Sequence, residues 1–73
     1  MWPKKQRYEP GTKIINKKPL KTTKNTLIPP GNTGIIGKTQ RAYNIQAVKY
    51  RAYFTNYGQV NRIKHFQITK KIQ

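Results

Sequence analysis

The chemistry available to this chain is almost entirely cationic. Sixteen lysines and arginines face a single acid, Glu9, for a net charge of +15 over 73 residues. General acid–base catalysis and metal-assisted hydrolysis need paired carboxylates, a cysteine–histidine set or a ligand cluster. The chain has no cysteine, one acid and one histidine, His65. No catalytic site, metal site or cofactor is therefore expected, and the chain is read as a non-enzyme. The Gly-Lys-Thr at 37–39 has the ending of a phosphate-binding loop, but the position that should hold the first glycine, 32, is asparagine. What remains is phosphate neutralisation, in which cations displace condensed counterions from a polyanion. The candidate RNA-binding residues are Lys4, Lys5, Arg7, Lys17, Lys18, Lys38, Gln40, Arg41, Lys49, Arg51, Arg62 and Lys64. Nucleic acid is the leading partner. An anionic membrane and then an acidic protein rank behind it; no run approaches the roughly 20 apolar residues of a spanning helix, so no membrane partner is expected, and with no catalytic set no small-molecule substrate is expected.

The elements that must position these cations are few. A chain of 73 residues makes one domain at most. Without cysteine it has no disulfide to compensate for a small core. Residues 1–26 carry spread charge and prolines at 3, 10 and 19, which predicts an extended basic arm. Within it, Lys13-Ile14-Ile15 suits a brief strand. Residues 27–57 hold the only long proline-free run. Pro29-Pro30-Gly31 bars a helix from upstream, Asn32 and Thr33 are capping types, and Asn56-Tyr57-Gly58 is a stop signal. The run predicts one helix from 33 or 35 to about 55. Tyr43, Ala47, Tyr50 and Phe54 fall at i, i+4, i+7 and i+11, an apolar stripe expected to face protein or the chain's own core. Lys38, Arg41 and Lys49 lie on the other side. Residues 58–73 form a basic tail, in which Phe66 and Ile68 alternate with Gln67 and Thr69 as in a short strand. The expected fold is mainly α: one long central basic helix with extended, irregular N- and C-terminal arms.

The central stretch also carries a resemblance. Leu27-Ile28-Pro29, then Thr33-Gly34, then Lys38-x-Gln40-Arg41 occur in fixed register. This pattern resembles the bacterial-type small-subunit ribosomal protein eighteen family, in a divergent, mitochondrial-type form. Arg51 falls on an arginine position of that family, and Tyr43 and Ala47 on apolar positions of its helix. The resemblance implies a structural constituent of the small ribosomal subunit on the platform. It would bind the central domain of the small-subunit rRNA, with neighbouring ribosomal proteins, among them small-subunit protein six, as partners. It places Thr33 and Gly34 at a helix amino terminus, where free amides bind phosphate.

Two other classes fit the composition. One is a lineage-specific basic protein of an organellar ribosome, unrelated to that family. The other is a DNA-binding or DNA-compacting protein. Lysine far outnumbers arginine, and isoleucine and asparagine are frequent, a bias that suits an AT-rich genome. The expected location is the mitochondrial ribosome, with plastid or bacterial cytoplasm as alternatives.

Overall fold

A computed structural model describes residues 7–40 and 47–72 of this chain. It contains seven strands among these residues: β1 (Lys13–Asn16), β2 (Leu20–Lys21), β3 (Leu27–Ile28), β4 (Thr33–Gln40), β5 (Lys49–Phe54), β6 (Gly58–Lys64) and β7 (Ile68–Lys70). A 3-10 turn at His65–Gln67 joins β6 to β7. Five strands form one sheet in the order β6-β5-β4-β1-β7, and β2 pairs with β3 as a separate hairpin. Every pairing is antiparallel.

The strands follow from side-chain alternation. Along β5, Tyr50, Ala52 and Phe54 are buried while Lys49, Arg51 and Tyr53 are exposed. That period of two places one set on each face of a strand. Ile14 from β1, Ile36 from β4, Val60 and Ile63 from β6 and Ile68 from β7 join the inward set, and the hairpin adds Leu20 and Ile28. The hydrophobic core thus draws on every strand. On its inner side Gly34 pairs with Phe54 and leaves room for the ring; a Cβ there would sit 2.9 Å from it.

The predicted helix is overturned. All eight residues of β4 and all six of β5 pair across strands or lie at a bulge within the ladder. Isoleucine, threonine and aromatic residues fit a pleated, half-buried surface better than a helix. Thr55-Asn56-Tyr57 is a hairpin loop rather than the end of a helix. Asn56 and Gly58 take left-handed φ of 70° and 120°, and Tyr57 N donates to Phe54 O at 3.0 Å. Pro29-Pro30-Gly31 leads into a strand, with Gly31 at φ 95°. The irregular arms are overturned as well. β1 lies between β4 and β7, so the amino-terminal half supplies an interior strand and the tail supplies both edges, β6 and β7. The strand expected at Lys13-Ile14-Ile15 is present as β1, whereas Phe66 sits in the 3-10 turn and only Ile68 begins a strand.

The excursion between β1 and β4 is fastened by one buried polar side chain. Asn16 is 1% exposed. Its Nδ2 donates to the carbonyls of Lys18, Ile28 and Pro29 at 3.0, 3.3 and 2.9 Å, and its Oδ1 accepts from Asn32 N at 2.8 Å. Thr22 closes the hairpin tip by accepting from the amides of Lys24 and Thr26, and Thr23 N reaches Gln59 O on β6 at 2.9 Å. Among the described residues no buried side-chain nitrogen or oxygen lacks a partner. Asn16→Leu leaves buried backbone groups unpaired. It is expected to cost about 2–4 kcal/mol, read as a lower urea midpoint with an unchanged slope.

Candidate nucleic-acid interface

The outer face of the β4-β5-β6 meander collects cations. Lys38 stands opposite Arg51, Gln40 opposite Lys49, and Lys49 opposite Lys64. Residues directly opposite on antiparallel strands share a face, and like charges so placed repel. Lys38, Gln40, Lys49, Arg51, Asn61 and Arg62, with Tyr50 beneath, line a concavity of about 340 Å³. No acid lines it. Glu9 is elsewhere, its Oε2 3.5 Å from Arg7 Nε.

Two bulges build this cluster. Between β4 and β5 the register runs from Ile36↔Ala52 to Lys38↔Arg51, so Gly37 is an extra residue. Between β5 and β6 it runs from Tyr50↔Ile63 to Ala52↔Val60, so Asn61 and Arg62 together oppose Arg51. An extra residue shifts the inward–outward alternation by one. Lys38 and Arg62 are therefore both exposed, though simple alternation from Ile36 and Val60 would turn each inward. The bulges sit on either side of Arg51 and place a cation on each of three adjacent strands. Arg62 is held at φ 59°, a left-handed conformation that costs a non-glycine residue about 1–2 kcal/mol. Such strain concentrates at functional sites.

Polar side chains set the cluster's geometry. Arg51 Nε donates to Asn61 Oδ1 at 3.2 Å, and Gln59 Nε2 donates to the same oxygen at 2.9 Å. Two donors on one oxygen fix the orientation of the amide. The bond to Asn61 uses only the Nε of Arg51; a guanidinium's two terminal nitrogens are the pair that takes a bidentate anion.

Beneath this face lies an aromatic cluster. Tyr50 hydroxyl is 2.8 Å from His65 Nδ1 and accepts from Tyr8 N at 3.1 Å. The Tyr8 and His65 rings stack at 4.8 Å. It braces the segment before β1 against β5 and the 3-10 turn.

The structure brings Lys38, Gln40, Lys49, Arg51, Arg62 and Lys64 together, six of the residues expected to meet RNA. It does not bring Lys17 and Lys18 there; they are exposed at the start of the excursion. Arg7 is half-buried beside Glu9. Thr33 and Gly34 belong to a strand and offer no free helix amides; Gly34 is buried under Phe54. Tyr50 and Phe54 are buried in the core from one face of β5, whereas Ala47 is exposed. Lys4, Lys5, Arg41 and Tyr43 lie outside the described residues. Sequence reasoning missed Asn61 and Tyr53. The strict alternation of Lys49 to Phe54 was the signal for Tyr53; Asn61 had none, because its role comes from a bulge. No known protein family, curated protein or solved structure matches this chain.

Burial pushes the Tyr50 hydroxyl above its ordinary value of 10.0, outweighing the stabilising amide of Tyr8. A phenol with a raised folded value contributes stability that is whole below pH 10.0 and lost as pH climbs through the folded value. Melting temperatures taken across the alkaline range are expected to fall more steeply for the native chain than for Tyr50→Phe. A second expectation concerns Arg62. Arg62→Gly relieves the left-handed strain and is expected to raise stability by up to about 1 kcal/mol, read in urea titrations.

Proposed function

We propose that this protein binds RNA through the outer face of β4, β5 and β6, as a structural constituent of a ribonucleoprotein particle. The observation that carries the reading is the cross-strand stacking of like charges. Lys38 on Arg51 and Lys49 on Lys64 hold repelling groups in register, with no acid lining the concavity between them. A fold with one acid in its whole sequence cannot neutralise that face internally. Phosphate oxygens neutralise it from outside, and counterion release adds to the affinity.

The small ribosomal subunit is the setting favoured within this reading, with rRNA as the polyanion and neighbouring ribosomal proteins around it. Support for that setting is compositional: extreme positive charge, small size and a lysine-, isoleucine- and asparagine-rich chain that fits an organellar genome such as that of a mitochondrion. The matches at Leu27-Ile28-Pro29, Thr33-Gly34 and Lys38-x-Gln40 now lie on strands and a turn, so the helical RNA-binding surface they implied is not part of the proposal.

The test is the salt dependence of binding to a structured RNA with exposed loops. Arg51→Gln with Arg62→Gln is expected to weaken binding and to lower the slope of log affinity on log salt by about one unit per lost phosphate contact. Lys24→Gln with Lys70→Gln, two exposed cations away from this face, is expected to leave affinity nearer the native value. Equal losses from both pairs would mean that binding is spread over the whole surface and not seated on this face. Duplex DNA bound as tightly as the RNA at physiological salt would favour a DNA-compacting protein instead.

A further inference from the structure

We propose that the nucleic acid taken by this face is single-stranded, with one nucleotide lodged in the concavity between the two bulges and a neighbouring base stacked on Tyr53. The inference rests on the RNA-binding reading and specifies its substrate class.

Three observations carry it. The first is shape. A duplex presents a convex, continuous backbone, whereas this site is a hollow of about 340 Å³, at the lower end of sizes that accept a small organic ligand. Adjacent strands lie about 4.8 Å apart, so the cations on β4, β5 and β6 span about 10 Å. A hollow of that width suits one splayed nucleotide. A paired base would first have to leave its stack, at a penalty that a loop nucleotide does not carry.

The second is the ring beside the hollow. Tyr53 is 51% exposed on the cation face. Its ring packs on Gly37, the bulge residue next to Lys38; a Cβ at Gly37 would lie 3.0 Å from the ring. Glycine at the bulge therefore lets the phenol rest on the backbone while about half of the residue stays exposed. An exposed aromatic ring beside phosphate-binding cations is the pairing that single-strand binders use, because every base offers a π-face.

The third is the presence of neutral hydrogen-bonding groups in a cationic hollow. Gln40 and Asn61 line it together with the cations. Asn61 is held by Arg51 and Gln59, which both donate to its Oδ1. Phosphate contact alone does not require a primary amide. Glutamine and asparagine amides match donor–acceptor pairs on base edges; in an RNA duplex the Watson–Crick edges are taken by pairing and the major-groove edges lie in a deep, narrow groove, so an unpaired base is the one that offers them.

The experiment measures fluorescence anisotropy of the full chain with a labelled single-stranded RNA, and with the same strand annealed to its complement at equal phosphate concentration. The single strand is expected to bind about tenfold more tightly. Tyr53→Ala is expected to weaken single-strand binding by about tenfold, within the range for losing one stacked base, and to leave duplex binding nearly unchanged. Tyr53→Phe keeps the ring and is expected to restore native affinity. Tyr53→Leu keeps apolar bulk over Gly37 without a π-face and is expected to bind like the alanine variant; circular dichroism melts of all three establish that each is folded. Equal affinity for single strand and duplex, or Tyr53→Leu binding like the native chain, overturns the inference. If Arg51→Gln still weakens both forms in that case, the RNA-binding reading survives and only the single-strand specificity is lost. If no nucleic acid binds in low salt, both fail together.

Discussion

Tyr50, Ala52 and Phe54 turn inward from the middle strand of the β4-β5-β6 meander, and Lys49, Arg51 and Tyr53 turn outward. The rest of the structure depends on keeping that phase. A slip of one residue in either pairing would bury a lysine and an arginine and expose two aromatic rings. Burying an unpaired cation is far costlier than any single apolar contact is favourable. With one acid in the chain, no partner exists to soften such a slip. The pairing is thus specified by what cannot be buried as much as by what packs.

The two bulges work within that constraint. Each adds a residue opposite Arg51 and so releases one more cation, Lys38 or Arg62, to the outer face without disturbing the inward set on either side. The opposed charges make the face unfavourable in isolation and receptive to an anion. Its width and hydrogen-bonding groups come from the same device, since Asn61 reaches Arg51 only because β6 carries an extra residue there. The meander itself is tied to the remaining chain by two polar anchors. Asn16 holds the excursion under β1 and β4, and the Tyr8–Tyr50–His65 cluster joins the amino-terminal segment to β5 and the final turn. A small core is thereby supplemented by buried hydrogen bonds whose partners lie far apart in sequence.

The misreading of the central stretch has a physical cause. Bulges convert a spacing of two into a spacing of three. Val60 and Ile63, both buried, are three apart, and Ile36 is followed by half-buried Thr39. Those intervals look helical. Tyr43, Ala47, Tyr50 and Phe54 also fit a helical stripe, although Tyr50 and Phe54 share a strand face for the simpler reason that they are an even number apart. The alternation from Val48 to Phe54 was legible and short, and the longer helical template prevailed because the proline-free run favoured it. Asn56 and Gly58 marked a change of direction under either reading; only the pairing of Phe54 with Gly58 shows that the change is a hairpin.

By itself the sequence determined the charge class: one acid against sixteen lysines and arginines, with no cysteine. It also named the cations of the outer face, Lys38, Lys49, Arg51, Arg62 and Lys64, because a lysine or arginine without an acidic partner stays exposed whatever the backbone does. Tertiary structure alone decided that these strands are strands, that Lys38, Arg51 and Arg62 meet across three of them, and that Asn61 and Tyr53 stand beside them. The reason is that charge is a property of composition, whereas a site is a property of register, and register here depends on two single-residue bulges whose effect appears only when neighbouring strands are paired.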